Sequence, residues 1–395
     1  MSTQNKSQTS IVFTGDIGFD RYMSGKWNDP GLLSEDVLAF LKSADHVAAN
    51  IEGPVIGQPE NTVNSGAAQL LHSISPDAVK VLKDYGIDIW NINNNHIMDA
   101  GQEGLESTLK IAKQNGIATI GAGMDIAQAK KPLIIPDAGG IGMFGVGYQR
   151  ACRPATEEKG GCFSWSELDM IRQTIEDIKK ECRWCVVVAH AGEEFTALPS
   201  PYTRERYLKY LEMGADIVVA HHPHVPMNYE TVGDKIIFYS LGNFIFDTDY
   251  QRTQNNTDVG VLVRIDFTED SFSFEPFGIK INRKTERIEK DGLTKIFEDV
   301  SQEEYELLAP LAAKLLVQAT KRQMKYLFPA IFRDATENLW QAHFNEPLRT
   351  GRVPGETLDF QIVCPLAEKE KEKAWKRSTL ENVKSFILDQ IEDDK

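Results

Sequence analysis

No stretch of this chain approaches the roughly 20 consecutive apolar residues that cross a bilayer, so no membrane-spanning helix is expected. The polar opening Met1–Ser10 holds no apolar core, does not read as a secretory signal, and points to a cytoplasmic protein. Cysteine is scarce: five in 395 residues, an odd and scattered set that argues against a disulfide framework and fits a reducing compartment. Positive charge is also in short supply. Against 58 Asp and Glu stand 43 Lys and Arg, a formal net charge of −15 that disfavours nucleic acid or an anionic membrane as partner. Phosphate backbones need a basic face. Internal repeats and low-complexity linkers are missing too.

What is present is an alternation. Strand-type apolar runs at Ile11–Thr14, His46–Ile51, Ile87–Ile92, Cys185–His190 and Ile217–His222 alternate with helical segments. The helices are expected over Leu33–Lys42, up to Tyr85 from a cap at Ser75 or Asp77, and over Gly104–Gln114, Ser166–Lys180 and Arg204–Met213. Pro132–Ile135 and Ile141–Val146, divided by Gly139-Gly140, predict a hairpin. After Met227 the rhythm changes to consecutive strands, with turns at Gly233-Asp234 and Glu269-Asp270. An α/β half running into antiparallel strands predicts stacked sheets with helices outside. From about Ser301 the spacing is helical, with Tyr305, Leu308, Leu311, Leu315 and Leu316 on one stripe. The mixed-charge run Glu368–Lys376 reads as a solvated helix. The expected division is one domain over 1–285 and a mainly helical region over 286–395.

The chemistry lies in where the polar residues fall. Asp16, Glu52, Asn95-His96, His190 and His222 each follow a predicted strand, and strand ends form the ligand crevice of open α/β sheets. Asp, Glu, Asn and His suit Zn, Mn or Fe, and two such ions about 4 Å apart can activate a water and hold a phosphoryl or acyl oxygen. Of eight histidines, half lie at His190 and in His221-His222-Pro223-His224. In extended chain His222 and His224 would point the same way. Taken singly the signals are weaker: Asp16 can simply cap a turn, and the histidines can belong to a polar loop.

Six motifs occur in order: Gly15-Asp16, Asn50-Ile51-Glu52-Gly53-Pro54, Asn94-Asn95-His96-Ile97-Met98-Asp99-Ala100-Gly101, His190-Ala191-Gly192-Glu193-Glu194-Phe195, His221-His222-Pro223-His224-Val225 and Tyr239-Ser240-Leu241-Gly242-Asn243-Phe244. Together, over residues 10 to 250, they resemble the CapA family of capsule and poly-γ-glutamate synthesis proteins. That family is similar to the calcineurin-like metallophosphoesterases, which implies a four-layer α/β/β/α sandwich with the helical region at its C-terminus. The resemblance implies that Asp16 and His224 serve one metal, that Asn95, His190 and His222 serve the other, and that Glu52 bridges. It makes His96 the general acid for the leaving group.

The chain also departs from the pattern. Gly18 stands where the wider superfamily has a histidine, Glu52 replaces a bridging aspartate, and His221 stands where a glycine precedes the histidine pair. One metal position therefore loses a ligand. Asp20 could compensate, although a turn carboxylate is more often structural. Arg21 matches the family's arginine and could clamp a phosphate or carboxylate, the competing reading being a surface salt bridge. Glu194 could orient a ligand histidine, and Asn243 is either a partner of the site or turn chemistry. The Cys182-x-x-Cys185 spacing, with Cys152 and Cys162 upstream, makes a structural zinc conceivable, against the commoner reading of small buried thiols.

The expected function is a metal-dependent hydrolase in which water activated by one or two divalent ions attacks a phosphoester or amide. Its substrate is expected to be a small molecule or a polyglutamate-like anion. The alternative is a non-catalytic subunit of a capsule or polyglutamate synthesis complex, binding through the same pocket. There the C-terminal helices would dock a synthase partner, or a second copy of the chain would form a homo-oligomer.

Overall fold

The computed structural model describes residues 7–56, 71–148 and 152–309. The strands in chain order are β1 (Gln8–Ile17), β2 (His46–Ile51), β3 (Ile87–Asn91), β4 (Ala118–Ile120), β5 (Ala122–Gly123), β6 (Leu133–Ile135), β7 (Ile141–Gly147), β8 (Gly161–Cys162), β9 (Trp184–His190), β10 (Ile217–His221), β11 (Tyr229–Val232), β12 (Lys235–Phe238), β13 (Asn243–Ile245), β14 (Val259–Thr268), β15 (Phe272–Asn282) and β16 (Arg287–Lys290). The helices are α1 (Glu35–Leu41), α2 (Ala78–Asp84), α3 (Gly101–Gln114), α4 (Ile126–Ala129), α5 (Leu168–Glu181) and α6 (Pro201–Glu212).

Two large sheets result. The first runs β16-β15-β14-β1-β2-β3-β4, with β13 also paired to β1; the second runs β11-β12-β10-β9-β7-β6. At the centre of each the strands are parallel, β1-β2-β3-β4 and β12-β10-β9-β7. β9 and β10 are buried along their whole length, as their near-continuous Val, Ile and Ala content requires of strands covered on both faces.

Period-two alternation sorts side chains into layers. Ile11 and Phe13 of β1 face Val186, Val188, Ile217 and Val219 across the space between the sheets. On the other face of the first sheet, Val12 and Val47 pack with Val37, Leu82 and Leu105 from α1, α2 and α3. The outer face of the second sheet, with Val187 and Val218, packs on Ile171, Ile175, Tyr207 and Leu211 from α5 and α6. This is the helix–sheet–sheet–helix sandwich.

The end of the chain is partly seen. β16 pairs with β15 at the edge of the first sheet, and Phe297 packs between the sheets. Residues 302–309 are helical, with Tyr305 and Leu308 buried. Leu311, Leu315, Leu316 and the 368–376 run lie outside the described residues.

Helix ends follow local chemistry. Ser200 caps α6 by accepting from the Thr203 amide, with Pro201 in the first turn, and Gly116, at φ +70°, lies just past α3.

Candidate metal centre

The parallel strands of both sheets end at one edge, and their registers align the polar residues there. Asp16 is paired with Asn50 and Asn243, Asn50 with Asn91, and His190 with His221. Strand bounds differ from expectation in two places. β1 continues through Asp16, which sits in a strand gripped on both sides rather than in a turn. Asn95 and His96 lie beyond the end of β3 at Asn91, in a loop that carries them across to the second sheet. There His190 Nε2 meets Asn95 Oδ1 at 2.8 Å.

Each buried carboxylate is held by one oxygen only. Asn50 Nδ2 donates to Asp16 Oδ1 at 2.8 Å and reaches Glu52 Oε2 at 3.4 Å. Asn50 is itself fixed by the Asn91 amide at 3.0 Å and the Asn94 amide at 3.4 Å. The remaining oxygens, Asp16 Oδ2 and Glu52 Oε1, make no hydrogen bond although fully buried, and neither does His190 Nδ1. Around Glu52 Oε1 stand His224 Nε2 at 3.6 Å, His190 Nε2 at 3.8 Å and His96 Nε2 at 4.0 Å. Asp16, Glu52 and His190 offer ligand atoms within 4.8 Å of one another, a spacing at which one cation could serve all three. Buried polar atoms without hydrogen bonds cost free energy, so two such carboxylate oxygens beside an imidazole, a set of hard and borderline donors, fit a divalent ion.

The electrostatics point the same way. Burial, reinforced by Asp16, pushes the Glu52 carboxyl well above the usual carboxylate range. Burial also raises Asp16, but its contact with His224 outweighs that and holds it below its ordinary value. Burial lowers His224, yet Glu52 and Asp16 lift it to about 10. Burial, then the neighbouring His222 and His221, depress His190 well below the usual imidazole value. His224 is thus the group among the described residues whose positive charge is favoured by both acidic side chains.

His224 is also steered: its Nδ1 meets Asn243 Oδ1 at 3.0 Å and lies 3.2 Å from Asp16 Oδ2, turning Nε2 toward Glu52. Asn243 is therefore more than turn chemistry; its amide is spent on Gln251 and the Thr257 carbonyl. The stretch holding His222 and His224 is not extended. Both adopt positive φ, 98° and 59°, because the chain turns sharply about Pro223, whose carbonyl accepts from the Phe195 amide. Such left-handed backbone in non-glycine residues costs roughly 1–2 kcal/mol each. His222 nevertheless lies against His190, ring centroids 4.9 Å apart, with Glu194 Oε1 4.0 Å from its Nε2. His221 serves elsewhere: its Nε2–H donates to the Thr14 carbonyl at 2.9 Å, bracing one sheet against the other.

The Gly18 departure has a structural counterpart. A Cβ at position 18 would fall 2.6 Å from the Phe246 ring, which fills that space and stacks flat on His224 at 5.0 Å. Asp20 is turned toward His72, whose Nδ1 lies 2.7 Å from its Oδ2, and does not belong to the group that Asp16, Glu52 and His190 form. Arg21 is exposed and directs its guanidinium to the Leu71 carbonyl, 3.0 Å away. The cysteines divide between layers: Cys152 and Cys162 pack in one outer core, Cys182 and Cys185 in the other, so the four do not converge on a zinc.

The floor of the site is fully buried, while His96, His222 and Glu194 keep 15%, 10% and 24% of their side-chain surface exposed and form its mouth. At that mouth His96 Nδ1–H donates to Asp99 Oδ2 at 2.7 Å. Burial, then His72, hold its ring down to about 4, against the upward pull of Asp99. Sequence reasoning missed Asn50, Asp99, Phe246 and His72. Asn50 shares the strand face of Glu52, and Asp99 lies one helical turn from His96, so both left a faint signal. His72 left none.

Comparisons with known proteins bear on the family of the chain. A family model described as "Bacterial capsule synthesis protein PGA_cap" matches residues 10–248. The chain is similar to the "Capsule biosynthesis protein CapA" of Bacillus anthracis, 30% identical over 261 residues, 64% of this chain and 63% of that protein. It is 31% identical over 262 residues to the "PGA biosynthesis protein CapA" of Bacillus subtilis (strain 168), 65% of this chain and 68% of that one. A "Probable polyglutamine synthesis accessory protein" of Mycobacterium tuberculosis is 24% identical over 236 residues, 54% of this chain and 59% of that protein. The match thus spans a little under two thirds of the length of the Bacillus anthracis relative.

Proposed function

The chain belongs to the PGA_cap family of bacterial capsule synthesis proteins, and from that premise we propose that it is a metal-dependent hydrolase acting on a phosphoester or an amide. One observation carries the reading: Asp16, Glu52 and His190, from strand ends of two sheets, bring ligand atoms within 4.8 Å of one another, and each carboxylate keeps a buried oxygen without a hydrogen bond. Those three residues would hold the ion. His224 and, from the other side, Asn95 and His222 would complete one or two positions, with Glu52 between them. A divalent ion supplies Lewis-acid polarisation of the scissile group and an activated water when bound.

The protein's own groups do the rest. Asn50 fixes both carboxylates so that neither turns away when the charge of the site changes. Asn243 commits the Nδ1–H of His224 and leaves Nε2 as the donor atom, the usual device for orienting a ligand imidazole. His96, with Nδ1–H given to Asp99, presents Nε2 toward the centre, where it can take a proton and return it to a leaving oxygen or nitrogen. An anionic substrate beside the ring favours the imidazolium and makes that transfer easier. The carboxylate-lined floor selects against a bare anion unless a cation precedes it, so ion binding and substrate binding are ordered.

The partner side of the reading rests on names alone. The mycobacterial relative is called an accessory protein of polyglutamine synthesis, and we extend to this chain a synthase partner and a polyglutamate-like substrate. The Phe246 ring in the space of the missing ligand favours a second reading, a binding subunit whose centre holds an ion without turnover.

Metal content per chain and turnover on phosphate esters and γ-glutamyl amides, measured for wild type, Asp16→Asn and His222→Ala, decide among these. One to two ions in wild type, with content and turnover both reduced in the variants, support the hydrolase. Bound metal with no turnover on either class moves the protein to the binding subunit. Unchanged metal content in both variants sinks the assignment of the centre.

A further inference from the structure

His72 belongs to none of the six motifs and to no strand, yet its side chain is only 8% exposed. It meets the centre's proton-handling imidazole once directly and once through Asp99. Its ring meets the His96 ring edge-to-face, centroids 4.3 Å apart at 90°. Its backbone N–H donates to Asp99 Oδ2 at 2.8 Å, the same oxygen that takes the Nδ1–H of His96. Residues 71 and 72 are gripped in turn by the loop after β1, through Asp20 on the His72 ring and Arg21 on the Leu71 carbonyl.

We propose that His72 is a positioning residue for His96, held by Asp20 and acting through the shared Asp99 oxygen and the ring contact. An ionised carboxylate only accepts, so Asp20 fixes the Nδ1–H tautomer of His72 as Asp99 fixes that of His96. A flip of the His96 ring would break its bond to Asp99 and press a different edge on the His72 ring. Simple filling of space does not account for the arrangement. A phenylalanine would fill the same volume, beside Phe246 at 5.0 Å, without an aspartate whose Oδ1 stays buried and unpartnered. The brace also gives Asp20 and Arg21 a role: they set the proton-transfer group from a distance.

The proposal takes from the preceding reading only that His96 works through Nε2, and its test needs neither metal nor substrate. Full-length, metal-free protein with ¹⁵N-labelled histidine reports the two ring nitrogens of each imidazole. The wild-type His96 pair is expected to stay far apart, Nδ1 protonated and Nε2 bare. In His72→Phe, which keeps a ring against His96 but cannot donate to Asp20, and in Asp20→Ala, the two signals move toward their mean as the tautomers mix. Wild-type signals in a folded His72→Phe protein would reduce His72 to a filler and overturn the proposal. Should His72→Phe fail to fold, Asp20→Ala decides alone, mixing supporting the brace and unchanged signals ending it. A protein that turns over nothing fails the hydrolase reading while this measurement still gives its answer.

Discussion

Among the described residues, two buried clusters of charge are built on opposite principles. In one, Arg204 of α6 lies bidentate on Glu230 of β11, Tyr239 donates to the same carboxylate at 2.7 Å, and the guanidinium sits over the Tyr305 ring at 4.8 Å. One positive charge meets one negative charge, and neither residue has a fully buried side-chain atom without a hydrogen bond. In the other, Asp16 and Glu52 share a site with His190 and His224, and donor atoms of three of the four make no hydrogen bond. The first cluster is finished; it ties the 302–309 helix to the second sheet. The second is unfinished on its own terms, and the proposed ion would complete it.

That contrast gives opposite signs on mutation, and the largest effect should come from the finished cluster. Arg204→Ala strands the Glu230 charge in the interior and should cost about 3–5 kcal/mol. Glu52→Gln removes a carboxyl held well above its usual range, so it should leave metal-free stability unchanged below the ordinary carboxylate range and raise it progressively at every pH above, neutrality included. Denaturant melts of both variants in chelator make the comparison. A destabilisation of Glu52→Gln comparable to that of Arg204→Ala would erase the distinction between the clusters.

Adding the ion should lift wild type above Glu52→Gln. At a free divalent metal concentration one hundred times its Kd, wild type gains about 2.7 kcal/mol, and Glu52→Gln gains none. The gain depends on pH with a definite sign. His224 is raised to about 10, so its contribution to metal-free stability is complete below its unfolded value near 6.5 and lost as pH rises through 10. Thermal melts in chelator should therefore decline from pH 6.5 to 10. In saturating metal the decline should flatten, because the ion displaces that proton and its affinity rises with pH. Parallel declines in chelator and metal would mean that the ion does not compete with His224.

A smaller effect tests the altered first position. Gly18→Ala drives a methyl into Phe246 and should destabilise by about 1–3 kcal/mol, as overpacking does. Phe246→Ala in the same chain should recover part of that loss, and Gly18→His with Phe246→Ala should raise metal content per chain. No recovery in the double variant would show that the strain lies in the backbone at Gly18 rather than in the ring.

The layered fold was legible because its signals are local and periodic. The runs at 185–190 and 217–221 can only be central parallel strands, and alternation in β1 places Val12 and Phe13 on opposite faces. The gathering of Asp16, Glu52 and His190 at one sheet edge was legible for the same reason. What stayed hidden was set by contacts distant in sequence. His72 and His96 are brought together only by tertiary packing, and nothing in the six motifs foretells that Phe246 fills the space beside Gly18. The extended reading of His222 and His224 failed where Pro223 and the Phe195 amide force a turn that spacing alone cannot express.

The smallest predicted effect separates a residue that holds the ion from one that aims the holder. Asn243 touches no bare atom of the centre; it accepts from the Nδ1–H of His224 and so chooses which nitrogen faces Glu52. Asn243→Ala should therefore weaken metal binding by at least tenfold, about 1.4 kcal/mol, while metal content at saturation stays at the wild-type level. His190→Ala, which removes a donor outright, should lower the saturating content itself. Calorimetric titration reads both quantities from one curve. An Asn243→Ala protein that binds at wild-type affinity would mean that the 3.2 Å contact with Asp16 suffices to orient His224. Control of the imidazole would then lie with the carboxylate that shares its ion.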